Sequence, residues 1–151
     1  MKNVMLLLSL LSALFFTSLI NASESYISKK SPYSVQQTLD RLDSILKSKG
    51  ISVFTRVDHG AGAKSVGQSL QTSQLLIFGN PKLGSPLMRE APMMGLELPM
   101  KALAWEDTKG QVWLSYLKPS VLESRHGLKN KAVIEKMTKA LNGMTNKAVS
   151  Q

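Results

Sequence analysis

Residues 75–88 read LLIFGNPKLGSPLM, a short apolar run that ends in a turn over 79–81 and meets a second turn over 84–86. Consecutive apolar residues between turn formers are typical of a strand buried on both faces. Ser85 and Pro86 then predict the N-cap and first residue of a short helix. Because ligand sites often lie just beyond the ends of buried strands, this junction is a candidate binding site.

The chain before this junction is predicted to contain two strands and a long helix. Residues 25–30 are expected to form the first strand. Ser34 opens a capping box, and apolar residues follow at helical spacing until Gly50 ends the helix. The alternation over 51–58 predicts a strand with one buried face, and a short helix or turn is expected over 59–67.

The chain after the junction is predicted to form a β-hairpin and two helices. Residues 101–107 and 111–117 flank a turn at Gly110. A short helix is expected over 119–127, and a final helix is expected to stop at Gly143. The predicted fold class is α+β: a two-layer α/β sandwich in which helices pack on one face of a mostly antiparallel sheet of about five strands.

The N-terminus has the pattern of a signal peptide. Lys2 precedes an uncharged stretch over 4–20, and small polar residues follow around Ala22. Cleavage after Ala22 would place the protein in the periplasm or outside the cell, without a stable membrane anchor. The alternative is an uncleaved anchor, although the uncharged stretch is short for a membrane span.

The predicted organisation is therefore a signal peptide over 1–22, a single globular domain over 23–143 and a flexible tail over 144–151. Cysteine is absent, which excludes disulfides, a thiolate nucleophile and a lipidated cysteine.

The net charge of +9 raises the question of nucleic-acid binding. Only four of the basic residues are arginine, however, and the aromatic residues do not alternate with the lysines. Sequence-specific binding uses arginine forks and stacking platforms. The pattern favours a solvated basic surface and predicts no specific nucleic-acid partner.

Two histidines are candidates for chemistry. Asp58 and His59 end a predicted strand, and Arg125 and His126 end a predicted helix, so each histidine has a partner that would orient it as a general base. The structural alternative is a helix N-cap at Asp58 and a favourable helix-dipole position at His126.

Metal and cofactor binding have little support in the sequence. Two histidines without cysteine match no zinc spacing. The methionines Met88, Met93, Met94 and Met100 could suggest cuprous copper, but methionine more often fills a core. The segment HGAGAKSVG lacks glycines that a nucleotide loop requires. We therefore predict no metal and no cofactor.

Several motifs occur together in one order: DHGAGAKSVG, LLIFGNPKLGSPLM, APMMGLELPMKALAWED, VWLSYLKP and RHG. With them the chain resembles the domain of unknown function 302 family, whose members carry D-H, F-G-N-P-x-x-G-x-P-L-M, G-L-x-L-P-x-K, W-E-D, Y and R-H-G. The resemblance covers residues 25–143 and implies a compact two-layer α/β domain that occurs alone and in exported forms. It implies no reaction, because the biochemical activity of the family is not established. The motif positions here are Asp58, His59, Gly79, Asn80, Pro81, Gly84, Pro86, Leu87, Met88, Leu98, Pro99, Lys101, Trp105, Glu106, Tyr116, Arg125 and His126.

Many of these motif positions are polar and fall near strand ends, which favours a site over packing alone. The first hypothesis is a cell-envelope module that binds a small polar or anionic ligand, or a partner, in a cleft at the strand ends. The second is an enzyme of unknown reaction with His59 or His126 as general base, and the third is a structural domain that forms a homodimer through a strand edge. We expect His59, Asn80 and His126 to line one cleft. The candidate binding residues are Asp58, His59, Asn80, Lys101, Glu106, Tyr116, Arg125 and His126.

Overall fold

The computed structural model describes residues 25–151, which form a five-stranded antiparallel sheet with helices packed on it. The strands are β1 (Tyr26–Ser31), β2 (Ser52–Asp58), β3 (Ser73–Gly79), β4 (Met100–Glu106) and β5 (Val112–Leu117), in the order β1-β5-β4-β3-β2. The helices are α1 (Val35–Ser48), α2 (His59–Ser65), α3 (Pro81–Glu90), α4 (Pro119–His126) and α5 (Lys131–Val149), with a 3-10 turn at Pro92–Leu96. The predicted α+β class is confirmed, whereas the predicted signal peptide lies outside the described residues.

The core lies between the sheet and the two long helices. α1 begins with the predicted capping box, in which the Ser34 hydroxyl accepts from the Gln37 amide at 3.2 Å. Its leucines Leu39, Leu42 and Leu46 are fully buried. Burial of a leucine side chain contributes about 1.5–3 kcal/mol, so this face fixes α1 on the sheet.

The C-terminal residues are not the flexible tail that the sequence predicted. α5 continues through Gly143 to Val149, because Met144, Thr145 and Ala148 are buried against the rest of the domain. A glycine inside a helix costs about 1 kcal/mol, which burial of these side chains outweighs.

Strand β2 departs from the predicted alternation. Its pairing with β3 shifts between Val53 and Thr55, so a bulge reverses the faces beyond it. Arg56 therefore lies on the helix side, where its guanidinium is 2.7 Å from the Asp40 carboxylate on α1. Phe54, at the bulge, is 56% exposed.

Helix α3 begins five residues before the predicted start. Asn80 is its N-cap, and its side-chain oxygen accepts from the Lys82 amide at 2.9 Å. Pro81 occupies the first helical position, where its missing N–H costs nothing. Pro86 lies inside the helix, so the prediction that Ser85 caps it is wrong.

None of the helices within residues 25–151 combines the length and the apolar character needed to cross a membrane.

Candidate functional site

A cavity of about 280 Å³ opens at the C-terminal end of β3, between the sheet, α3 and α5. Its walls are mainly apolar and come from four parts of the chain. The lining residues are Ile51, Phe54, Phe78, Gly79, Asn80, Pro81, Leu83, Gly84, Ser85, Met88, Leu98, Pro99, Met100, Met137, Ala140, Leu141 and Met144. The predicted junction at the end of β3 therefore does border a cavity.

Two motif glycines shape the cavity wall. A Cβ at Gly84 would lie 3.2 Å from Cδ1 of Leu98, and a Cβ at Gly79 would lie 3.4 Å from both Phe54 and Pro99. Both positions are tight for a methyl group. The glycines thus let α3 and the end of β3 approach these apolar side chains closely.

Four methionines line the cavity: Met88 on α3, Met100 on β4, and Met137 and Met144 on α5. Unbranched thioether chains adapt their shape to what they contact, and such surfaces often bind varied ligands. Of the methionines considered for copper, Met93 is 61% exposed and Met94 is buried elsewhere in the core. Within the described residues no three histidine, aspartate or glutamate side chains group as metal ligands.

Polar groups are few around the cavity. Among the candidate binding residues only Asn80 lines it, and its side chain already caps α3. Ser85 adds an exposed hydroxyl on the same helix. The Asn80 side chain thus has a structural role, since it accepts from the backbone at the start of its own helix.

Glu97 gathers three of the candidate residues into a cluster beside this end of the sheet. Its Oε1 is 2.5 Å from Nη1 of Arg125 and 3.4 Å from Nε2 of His126, while Nζ of Lys101 donates to its backbone carbonyl at 3.1 Å. The hydrogen bond from Arg125 holds the pKa of the Glu97 carboxyl below its ordinary value, with a smaller contribution from His126.

This cluster ties the turn before β4 to the end of α4 and contributes none of its side chains to the cavity lining. Sequence reasoning missed Glu97, which occupies the variable position of the G-L-x-L-P motif. The signal that could have found it is a single acidic residue in an apolar segment, which requires a basic partner such as the Arg125-His126 pair; that pair is distant in sequence and close only in the fold.

Asp58, His59 and Glu106 lie at the opposite end of the sheet. Asp58 caps α2 by accepting from the Ala61 amide at 2.8 Å, and this bond chiefly lowers the pKa of its carboxyl. His59 is exposed at the first position of α2. Glu106 ends β4 beside the hairpin turn.

The prediction that His59, Asn80 and His126 line one cleft is wrong. β2 and β3 are antiparallel, and Asp58 pairs with Gln74 while Ser52 pairs with Gly79. His59 and Asn80 thus follow opposite ends of the sheet, about 20 Å apart along strands of this length. The C-terminal ends of neighbouring strands lie at the same edge of a sheet only when the strands are parallel.

Tyr116 belongs to the core. It is 2% exposed on the helix side of β5, and its hydroxyl has no hydrogen-bond partner within the described chain. Burial raises its pKa. Lys29 lies over its ring at 5.8 Å and donates to Asn142, Thr145 and Asn146 on α5, which ties β1 to that helix.

The family model described as "Domain of unknown function DUF302" matches residues 27–144. The chain belongs to the DUF302 family. Within this DUF302 domain, the cavity is built largely from the family motifs F-G-N-P-x-x-G-x-P-L-M and G-L-x-L-P, together with α5.

A crystal structure of an uncharacterized conserved DUF302 protein from Bacillus stearothermophilus has the same fold as this DUF302 domain. The TM-score is 0.74, and the alignment covers 82% of this chain and 97% of that one at 18% identity. At this identity the likeness establishes the fold alone.

Curated relatives extend the comparison at higher identity. The chain is 44% identical over 124 residues to the fluoride-specific ion channel FluC 1 of Brucella suis biovar 1 (strain 1330), covering 81% of this chain and 49% of the relative. The fluoride-specific ion channel FluC 2 of Brucella melitensis biotype 1 matches at the same identity, with 46% of its length covered. The chain spans about half the length of the curated relatives that it matches.

Proposed function

We propose that this DUF302 domain is a small-molecule binding module whose ligand places an apolar body in the cavity between α3 and α5. The observation that carries the proposal is the cavity itself. Protein interiors rarely keep voids larger than a water molecule, whereas ligand sites are concave, mostly apolar and carry few polar groups. A volume of about 280 Å³ lined by apolar and methionine side chains fits the second description.

The cavity lining also restricts the class of ligand in the first hypothesis from the sequence, which was a small polar or anionic molecule. An entirely polar ligand would lose its hydration against these walls and regain few hydrogen bonds, because only Asn80 and Ser85 offer polar side chains. A ligand with an apolar body is therefore favoured. The enzyme alternative has less support, since neither His59 nor His126 lines the cavity.

A cavity-filling variant tests the proposal. Ala140 on α5 lines the cavity and is half-buried, so Ala140→Leu would occupy space that a ligand needs. We expect titration calorimetry with octanol to give at least a tenfold weaker affinity, about 1.4 kcal/mol, for this variant. Ala132→Leu is the matched control, because it makes the same change at an exposed position of α5 outside the cavity.

Two results would contradict the binding proposal. One is octanol binding of equal strength in the parent protein and both variants, which would place the probe elsewhere. The other is an absence of binding in the parent protein at probe concentrations that saturate other apolar pockets.

The curated relatives favour a second candidate function. We propose that the domain acts beside a membrane-spanning channel and modulates it, since relatives named fluoride-specific ion channel contain a similar domain in about half of their length. A channel requires membrane-spanning segments, and the described residues of this chain supply no suitable helix. The remaining half of those relatives is therefore expected to form the pore.

A truncation of the Brucella suis relative tests this second function. Removal of the half that matches this chain should leave fluoride efflux from proteoliposomes in place but change its rate. Addition of the separate domain should restore the original rate. An unchanged rate after truncation would contradict a modulating role, and a complete loss of efflux from a correctly inserted protein would assign the pore to the matched half.

A further inference from the structure

The cavity reaches solvent through an apolar rim. Phe54, Pro81 and Pro99 line the cavity and are also exposed, as is Ser85. Phe54 is held out by the β2 bulge, with 56% of its surface exposed. A ligand in the cavity would therefore keep one end at the surface, beside the residues that flank this rim.

Exposed lysines flank the lining residues. Lys82 lies between Pro81 and Leu83 in the first turn of α3, and it shares a helix face with Ser85, three residues on. Lys136 precedes Met137 on α5 and shares a face with Ala140, four residues on.

A third exposed lysine, Lys49, is two residues from Ile51, which also lines the cavity. Within residues 25–151, Lys49, Lys82 and Lys136 make no ion pair with a carboxylate. Their charges are therefore available to a ligand.

The acidic residues near this end of the sheet are already engaged. Asp43 pairs with Lys47 at 2.7 Å, and Glu97 pairs with Arg125. The Glu90 carboxylate accepts from the Lys129 and Asn130 amides at the start of α5. Glu90 keeps its negative charge, because backbone amides are neutral, but Lys49, Lys82 and Lys136 outnumber it. Glu135, next to Lys136, is paired with Lys139. The surroundings of the rim therefore carry a local excess of positive charge, in keeping with the net charge of the whole chain.

We infer that the ligand is a single-chain amphiphile with an anionic head, such as a fatty-acid carboxylate; this inference rests on the proposed binding function. The apolar chain lies against the methionines inside the cavity, and the head stays at the rim near Lys82 and Lys136. A volume of about 280 Å³ lies just below the usual range for ligand pockets, about 300–1,000 Å³, which suits one chain and not two.

Three probes with the same chain and different heads test the inference by titration calorimetry: octanoate, octanol and octyltrimethylammonium. We expect the parent protein to bind octanoate about tenfold more tightly than octyltrimethylammonium. Exposed charge pairs contribute about 0.2–1 kcal/mol each, so two or three lysines account for a difference of this size. The preference should weaken as salt is added.

A charge-reversal variant and a matched control test whether the lysines beside the rim cause the preference for octanoate. In Lys82→Glu/Lys136→Glu we expect the octanoate affinity to fall about tenfold while octanol binding is unchanged. Lys64→Glu/Lys109→Glu makes the same change in net charge at α2 and at the β4–β5 turn, both at the far end of the sheet. This control should keep most of the preference for octanoate over octyltrimethylammonium. The unfolding transition of each variant verifies that it is folded.

The outcomes separate the inference from the function on which it rests. Equal affinities for octanoate and octyltrimethylammonium, with firm octanol binding, would overturn the anionic head and leave the apolar binding site standing. Equal losses in both double variants would also overturn the inference, because the effect would then come from net charge alone. Failure of all three probes to bind would overturn both proposals.

Discussion

At the scale of single residues, Glu97 joins two segments that are distant in sequence. Its carboxylate contacts Arg125 and His126 on α4 and is itself mostly buried, at 19% exposure. Because the hydrogen bond from Arg125 lowers the pKa of Glu97, the folded protein binds a proton at this carboxyl less readily than the unfolded chain does. The cluster therefore links stability to pH.

We predict that Glu97→Gln lowers the free energy of unfolding at neutral pH by about 1 kcal/mol or less, since Arg125 is half exposed and solvent screens the pair. In the parent protein this stabilisation is present above the ordinary Glu pKa of 4.5 and is lost as pH falls through the lower folded pKa. Urea unfolding at neutral and acidic pH measures both effects.

Glu123→Gln is the control for this prediction, because Glu123 lies on α4, the helix that carries Arg125 and His126, and makes no ion pair within the described residues. If the free energy of unfolding falls equally steeply with decreasing pH in Glu97→Gln and in the parent protein, Glu97 is not the group that links stability to pH.

Substitutions at Asn80 test whether its side chain acts as the N-cap of α3. We predict that Asn80→Ala destabilises the protein by about 1 kcal/mol, because α3 loses its N-cap, and that Asn80→Asp largely preserves stability, because aspartate caps as well as asparagine. Thermal unfolding of both variants is the measurement. Equal losses in the two variants would mean that the amide group matters for a reason other than capping.

At the scale of elements, α5 completes both the core and the cavity. We predict that Met144→Ala lowers the free energy of unfolding by about 2 kcal/mol or more, since Met144 is 3% exposed and its removal enlarges a void. Lys147→Ala, at an exposed position of the same helix, should change it by less than about 0.5 kcal/mol. If chemical denaturation shows a similarly small change in the free energy of unfolding for both variants, the result would support the predicted flexible tail.

The difference between predicted and observed elements has clear physical causes. Helix periodicity and the Ser34 capping box were enough to place α1, because both signals are local. The end of α5 depends on burial of Met144 and Ala148 against other elements, and this overrides the local preference of Gly143. The bulge in β2 likewise depends on pairing with β3, which alternation alone does not reveal.

At the scale of the whole molecule, the sequence predicted the fold class but not the grouping of polar residues, and the junction that it singled out after β3 borders an apolar cavity. The antiparallel order was itself predicted, and it separates Asp58 and His59 from Asn80 by the length of a strand. The expectation of one cleft applied a rule that holds for parallel sheets. Signal-peptide cleavage, export and homodimer formation stay predictions.

Ligand binding in the cavity between α3 and α5 is tested most directly by an NMR titration with octanol of protein labelled with ¹³C at the methionine methyl groups. We expect the resonances of Met88, Met137 and Met144 to shift together and saturate, because these side chains line the cavity, while that of the exposed Met93 stays in place. Shifts confined to Met93, or no saturable shift at the cavity methionines, would contradict the claim that this cavity is a binding site.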